Sequence, residues 1–192
     1  PTVYLVEDIN SPVPVEGGTF LTKAYQLQPF DRPLQDSANV AIILPNYIRD
    51  FSKSGIFYYD KDDGWTYLPS RFDERKWMYF TSLKSLEAIT VIQDTIQPLI
   101  EHIFPGNGGS YSFEDVQEIQ ASIRDELAGI EGDEAISITL DDKKLLFEYH
   151  PIKKEVTFRL KTPLESGDHN LVITAEDQVG NTSSEEIRFN IR

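Results

Sequence analysis

The chain has 192 residues, 40% of them apolar and 11% aromatic, a composition able to pack a core, and its formal charge is −14. Most of the acidic excess falls from Thr95 onward, which argues against nucleic-acid and anionic-membrane partners and makes divalent cations the natural small ones. The absence of cysteine excludes disulfides, thiolate nucleophiles and cysteine zinc sites.

No stretch approaches the ~20 apolar residues of a membrane-spanning helix, and the first residues lack the pattern of a signal peptide. Opening on Pro1 and not on Met, the chain reads as a piece cut from a longer precursor, so any signal, anchor or catalytic domain is expected outside it.

Short alternating apolar runs separated by Gly, Pro, Asn and Asp predict half-buried strands joined by turns. In the first half these are Thr19 to Leu27, Asn39 to Leu44, Ser54 to Tyr59, Thr66 to Leu68, Trp77 to Ser82 and Ala88 to Gln93. The segment from Tyr59 through Asp60, Asp62, Asp63 and Gly64 to Trp65 predicts a hairpin tip, since Asp and Gly tolerate the φ angles of tight reversals. The pattern breaks between Asp94 and Ser110, predicting two modules, 1–95 and 96–192. The glycines at 106, 108 and 109 are turn residues, because a phosphate loop would end in Lys–Ser/Thr and open a helix.

Ser112 to Leu127 starts like a capped helix, yet Ile119, Ala121 and Ile123 alternate, so a strand is expected from about Glu118. Four later triplets point one way each: Ile136, Ile138, Leu140; Val156, Phe158, Leu160; Leu171, Ile173, Ala175; Ile187, Phe189, Ile191. Two stacked sheets around a shared core follow. Tyr149 to Lys154 is expected to form a hairpin between the second and third of these ribbons.

The run Ile136 to Lys143, the turn at Tyr149–His150–Pro151, Val156 to Leu160, the stretch Pro163, Leu164, Gly167, His169, and Ala175, Asp177, Gly180, Asn181 together resemble bacterial immunoglobulin-like modules of repeat-containing surface and secreted proteins. Asp142 stands where that family usually has Gly. Gly55 to Tyr59, Gly64 to Leu68 and Ala88 to Asp94 resemble the β-sandwich that often precedes such a module in exported multidomain proteins, some with a lysostaphin-type zinc peptidase domain. The resemblance implies an all-β chain of two tandem β-sandwich domains, the second Ig-like. It also implies an extracellular, periplasmic or cell-surface location, with neighbouring domains of the parent protein as partners.

Catalysis finds little support. His102, His150 and His169 fall in a strand near the linker, a hairpin tip and a turn, and form no zinc motif. Asp62, Asp63, Asp73 and Glu74 are an acidic abundance at exposed turns, without the burial that tunes a catalytic pair. No G-x-S-x-G motif occurs.

The main expectation is a non-catalytic pair of structural, spacer or accessory modules that positions or stabilises a functional domain of a larger protein, and two binding hypotheses stand beside it. Asp125, Asp177 and Asn181 are candidate calcium ligands at one end of the sandwich, since hard cations want several oxygens; the alternative is a turn in which Asp177 caps backbone N–H groups. Asn181–Thr182–Ser183 spells a glycosylation sequon but reads as part of that turn. Trp65, Tyr67 and Trp77 are candidate carbohydrate contacts, with Trp65 at an exposed hairpin tip; the alternative is that these rings fill the core.

Overall fold

The computed structural model describes residues 5–9, 12–29 and 33–192. The chain is all-β, with one short 3-10 turn at Asp133–Ala135 and no α-helix among the described residues. Its described residues divide into two units, one ending at Ile96 and the other spanning Gln97–Arg192.

The first unit contains β1 (Leu5–Ile9), β2 (Gly18–Phe20), β3 (Ala24–Gln28), β4 (Pro33–Ile43), β5 (Ser54–Asp60), β6 (Gly64–Leu68), β7 (Arg71–Asp73), β8 (Met78–Ser85) and β9 (Ala88–Asp94). One sheet runs β1-β3-β9-β5-β6, with β2 also paired to β9, and the other runs β4-β8-β7. Leu27, Ile56, Ile89 and Val91 from the first sheet share a core with Ile42, Tyr79 and Leu83 from the second, which makes the unit a β-sandwich.

Strand β9 is buried along both faces, including Thr90, Ile92 and Asp94. That is why Ala88–Ile92 reads as a nearly continuous apolar run without alternation. The single strand expected over Thr19 to Leu27 is split into β2 and β3. At the break the Thr22 hydroxyl accepts the Val91 N–H at 3.0 Å, standing in for a backbone carbonyl. The tip between β5 and β6 closes on Asp60, whose Oδ1 accepts the N–H groups of Asp62 at 2.7 Å and Asp63 at 3.1 Å. Gly64 leaves this tip at φ 76°, a conformation with no steric penalty only for glycine.

The second unit contains β10 (Leu99–Phe104), β11 (Ser110–Tyr111), β12 (Glu118–Arg124), β13 (Ile136–Leu140), β14 (Lys143–Lys144), β15 (Glu148–His150), β16 (Glu155–Arg159), β17 (Gly167–Glu176) and β18 (Thr182–Ile191). Its sheets run β10-β12-β16-β15 and β11-β18-β17-β13-β14. The order is that of an immunoglobulin sandwich, A-B-E-D against G-F-C. Here β11 joins the last strand in parallel, Ser110 opposite Asn190.

The inward residues of both sheets form one core. Ile119, Ala121, Ile123 and Val156 meet Ile136, Ile138, Leu171, Ile173, Ile187 and Phe189. Every second residue of β12 and β13, and of β17 from Leu171 to Ala175, is buried, as a sheet with one face on a core requires.

Two local expectations need correction. The Tyr149–Lys154 hairpin joins β15 to β16 and so leads into the Val156 ribbon instead of out of it. Its strand partner is the short Glu148–His150 segment, too brief to show a period of two. His169, expected in a turn, is the third residue of β17 and pairs with Phe189 of β18; the pairing extends back to Gly167, whose φ of 139° admits the chain into the sheet.

Candidate functional site

Trp65 lies on β6 next to the hairpin tip, but it is only 6% exposed. Its indole N–H donates to the Val13 carbonyl at 2.8 Å, and its ring meets Phe20 and Tyr59 edge-on at 5.5 and 5.3 Å. Tyr67 stands two residues along the same strand, on the same face, edge-on to Phe57 at 5.5 Å. A Cβ at position 55 would fall 2.6 Å from the Tyr67 ring, so Gly55 is what lets the ring lie over β5.

Trp77 belongs to a different cluster. It precedes β8 at φ 55° and packs with Phe51 and Phe72, at 5.0 and 5.4 Å, against the sandwich core. The structure therefore brings Trp65 and Tyr67 together but leaves Trp77 apart. The expected exposure of Trp65 is overturned: the segment carrying Val13 covers this face and supplies the acceptor that its polar tip needs.

The acidic candidates occupy two loops at one end of the second unit. Asp125 follows β12, and its Oδ1 accepts the Leu127 N–H at 3.1 Å and the Gly129 N–H at 2.7 Å. Asp177 follows β17, is 5% exposed, and its Oδ1 accepts the N–H groups of Val179 at 2.9 Å and Asn181 at 2.8 Å. Its Oδ2 accepts from the Asn181 side-chain amide at 2.7 Å. Gly180 takes φ 89° inside this turn. The Asp177–Gly180–Asn181 pattern thus encodes a self-capped reversal between β17 and β18.

The two loops are fastened to each other. Gln178 donates from its side chain to the Ala128 carbonyl at 2.8 Å and from its backbone to the Gly129 carbonyl at 3.1 Å. Carboxylate oxygens of Asp125 and Asp177 come within 4.8 Å. Burial pushes the Asp125 carboxyl above its ordinary range; the Gly129 and Leu127 N–H groups pull it down and the Asp177 charge adds to the rise. Two partly desolvated carboxylates at this spacing repel unless a proton or a cation intervenes. Gln178, which holds the loops in register, carried no signal in the sequence, because its partners are backbone carbonyls distant along the chain.

The other titratable candidates stay apart. Asp62 and Asp63 are exposed at the β5–β6 tip, while Asp73 caps the β7–β8 turn by accepting the N–H groups of Arg75 at 3.0 Å and Lys76 at 3.1 Å. His102, His150 and His169 sit on β10, β15 and β17, and among the described residues none belongs to a group of clustered metal-binding side chains. His169 is the one with a built environment: Asp141 and the Glu165 carbonyl contact its two ring nitrogens.

No family model and no curated protein matches the chain. Among solved structures it is similar to CopC from Methylosinus trichosporium OB3b at 11% identity, covering 50% of this chain and 93% of that one, with a TM-score of 0.38. It is similar to dimeric latent PorU from Porphyromonas gingivalis at 13% identity and a TM-score of 0.38, covering 88% of this chain but 21% of PorU. Immunoglobulin domains 1–4 of Sidekick-1 match at 10% identity and a TM-score of 0.24, over 88% of this chain and 57% of that one. All three are built from β-domains. The likeness stops there, and the fold rests on this chain's own sheets and cores.

Proposed function

We propose that this chain is a pair of non-catalytic β-sandwich modules, the second of the bacterial immunoglobulin-like type, which space or stabilise a functional domain of a larger exported protein. The observation that carries this reading is that the chemically suggestive residues are spent on the fold. Asp60, Asp73, Asp125 and Asp177 cap turns, and Trp65 and Trp77 pack in aromatic clusters. Each unit also has its own apolar core, as a module that folds by itself requires. The burial of Trp65 takes away the exposed tip on which the carbohydrate reading leaned, while Tyr67 and Trp77 are half-buried.

The test is sedimentation of the whole chain with insoluble cell-wall polysaccharide, together with tryptophan emission during titration with soluble glycans. The spacer reading expects the chain to stay in the supernatant with unchanged emission. Saturable retention would overturn it in favour of a binding module.

A second reading concerns how the spacer is stiffened. The approach of Asp125 to Asp177 within 4.8 Å, at the joined loops of the second unit, favours a divalent cation, with calcium the best match to oxygen ligands. Thermal unfolding with calcium and with chelator decides between the two forms. A ligand that binds only the folded state raises the transition, whereas a purely turn-capping pair leaves it unmoved.

A further inference from the structure

Both ring nitrogens of His169 are engaged. Nδ1 lies 2.7 Å from Asp141 Oδ2 and Nε2 lies 2.8 Å from the Glu165 carbonyl oxygen. Both partners are acceptors, since a backbone carbonyl has no proton to give and Asp141 is held as a carboxylate by the Asn170 N–H, which donates to its Oδ1 at 2.9 Å. A neutral imidazole carries one N–H, so it satisfies one contact and turns a lone pair on the other. The imidazolium satisfies both.

The surroundings favour the same form. The ring stacks on Phe189 of β18, centroids 5.4 Å apart and planes 27° from parallel, and the face of an aromatic ring attracts a cation. The His169 side chain is 10% exposed, so water replaces neither contact cheaply. The charges around it are Asp141 and Asp142 on the β13–β14 turn, Asp168 beside it on β17, Lys143 on β14 and Arg188 on β18. Arg188 is paired with Glu186 at 2.9 Å, and Lys143 acts on Asp141. The near field at the ring is therefore negative.

We propose that His169 is a protonation-dependent clamp: as the imidazolium it ties the β13–β14 turn and the segment around Glu165 to the start of β17, and on losing its proton it releases one of them. The turn it holds is a strained one, with Asp141 at φ 48° and Asp142 at φ 63°. Asp141 serves both partners at once, through Oδ2 to the ring and Oδ1 to the Asn170 backbone, so the clamp and the strand edge loosen together.

The sign follows from the surroundings. Burial opposes the charge, but the Glu165 carbonyl and Asp141 outweigh it and raise the pKa of His169 above 6.5. A raised histidine contributes stability that is fully present below the unfolded value and is lost as pH rises through the folded one. At the acid end Asp141 is also desolvated, yet the Asn170 N–H and His169 hold its pKa below 3.8. The clamp therefore works from below that ordinary carboxylate value up to the folded pKa of His169, and opens on the alkaline side.

The experiment is nitrogen-detected NMR of the His169 ring in the full, unmodified chain across a pH titration, with the urea-unfolded chain as reference. The expected result is a ring protonated on both nitrogens at pH 6.5 that titrates at higher pH than in the unfolded chain, with the amides of Asp142 and Asn170 shifting in step. A ring found as a single neutral tautomer at that pH, or titrating at or below its unfolded value, overturns the proposal. His169→Gln should flatten the fall of the melting temperature above the unfolded histidine value, and a profile parallel to the parent would equally sink the idea. If His169→Gln does not fold, Asp141→Asn serves: it must lower the ring's titration point, and an unchanged titration refutes the clamp.

Discussion

Trp65 donates its indole N–H to the carbonyl of Val13 across 2.8 Å, fifty-two residues back along the chain. This contact sets Trp65 into the wall of the first unit, where the side chain is buried. Trp65→Ala should destabilise the first unit by about 3–5 kcal/mol in urea unfolding, the range for removing a buried large aromatic. Trp65→Phe keeps most of the apolar area but loses the hydrogen bond to the Val13 carbonyl, at a cost of about 0.5–1.5 kcal/mol. A loss under half a kilocalorie for Trp65→Ala would mean that the ring is not buried in solution.

Asp177 caps two backbone N–H groups and the Asn181 amide in one buried turn. Asp177→Ala removes all three acceptor contacts and should cost about 2–3 kcal/mol in chemical denaturation of the second unit. The loss should appear in chelator as well as in calcium, because the capping bonds need no metal.

Asp125→Asn separates charge from capping. The variant keeps an Oδ1 acceptor for Leu127 and Gly129 while removing the negative charge that meets Asp177 within 4.8 Å. Burial, the first cause of the raised Asp125 pKa, means that ionisation costs folding stability as pH rises through and above 3.8. In chelator at neutral pH, Asp125→Asn should therefore melt higher than the parent. If calcium stiffens this end, the parent gains on its addition and the variant does not. Identical melting of parent and variant in chelator would show that the carboxylates do not interact.

Asp142 occupies the second left-handed position of the two-residue turn between β13 and β14, at φ 63°. Asp142→Gly should be neutral or stabilising by up to about 1 kcal/mol, while Asp142→Val should cost about 1–2 kcal/mol, because a β-branched side chain clashes in this region. Thermal melts of the two variants at one pH check the ordering, and Val tolerated as well as Gly would contradict this turn geometry.

Ile56 and Ile138 are fully buried in the separate cores of the two units. Truncating either to Ala should cost about 2–5 kcal/mol. Measured on fragments 1–96 and 97–192, Ile56→Ala should act in the first and Ile138→Ala in the second. Failure of both parent fragments to unfold cooperatively would remove the basis for treating them as modules.

Local chemistry in the sequence determined the all-β class, most strand positions and the turns. The period of two in Ile136–Ile138–Leu140 or Leu171–Ile173–Ala175 follows from side chains alternating across a strand. Asp60, Gly64, Asp142 and Gly180 announce reversals through their own side chains or their tolerance of positive φ. Tertiary structure alone decided what those residues do. Burial depends on what covers a face, so Trp65 looked exposed until the Val13 segment lay across it. Strand alternation says which residues share a face, but not whether that face is open. The Asp125–Asp177 approach, the Gln178 fastening and the two-acceptor cradle of His169 join segments distant along the chain. Their distances come from sheet pairing, and no local propensity encodes that pairing.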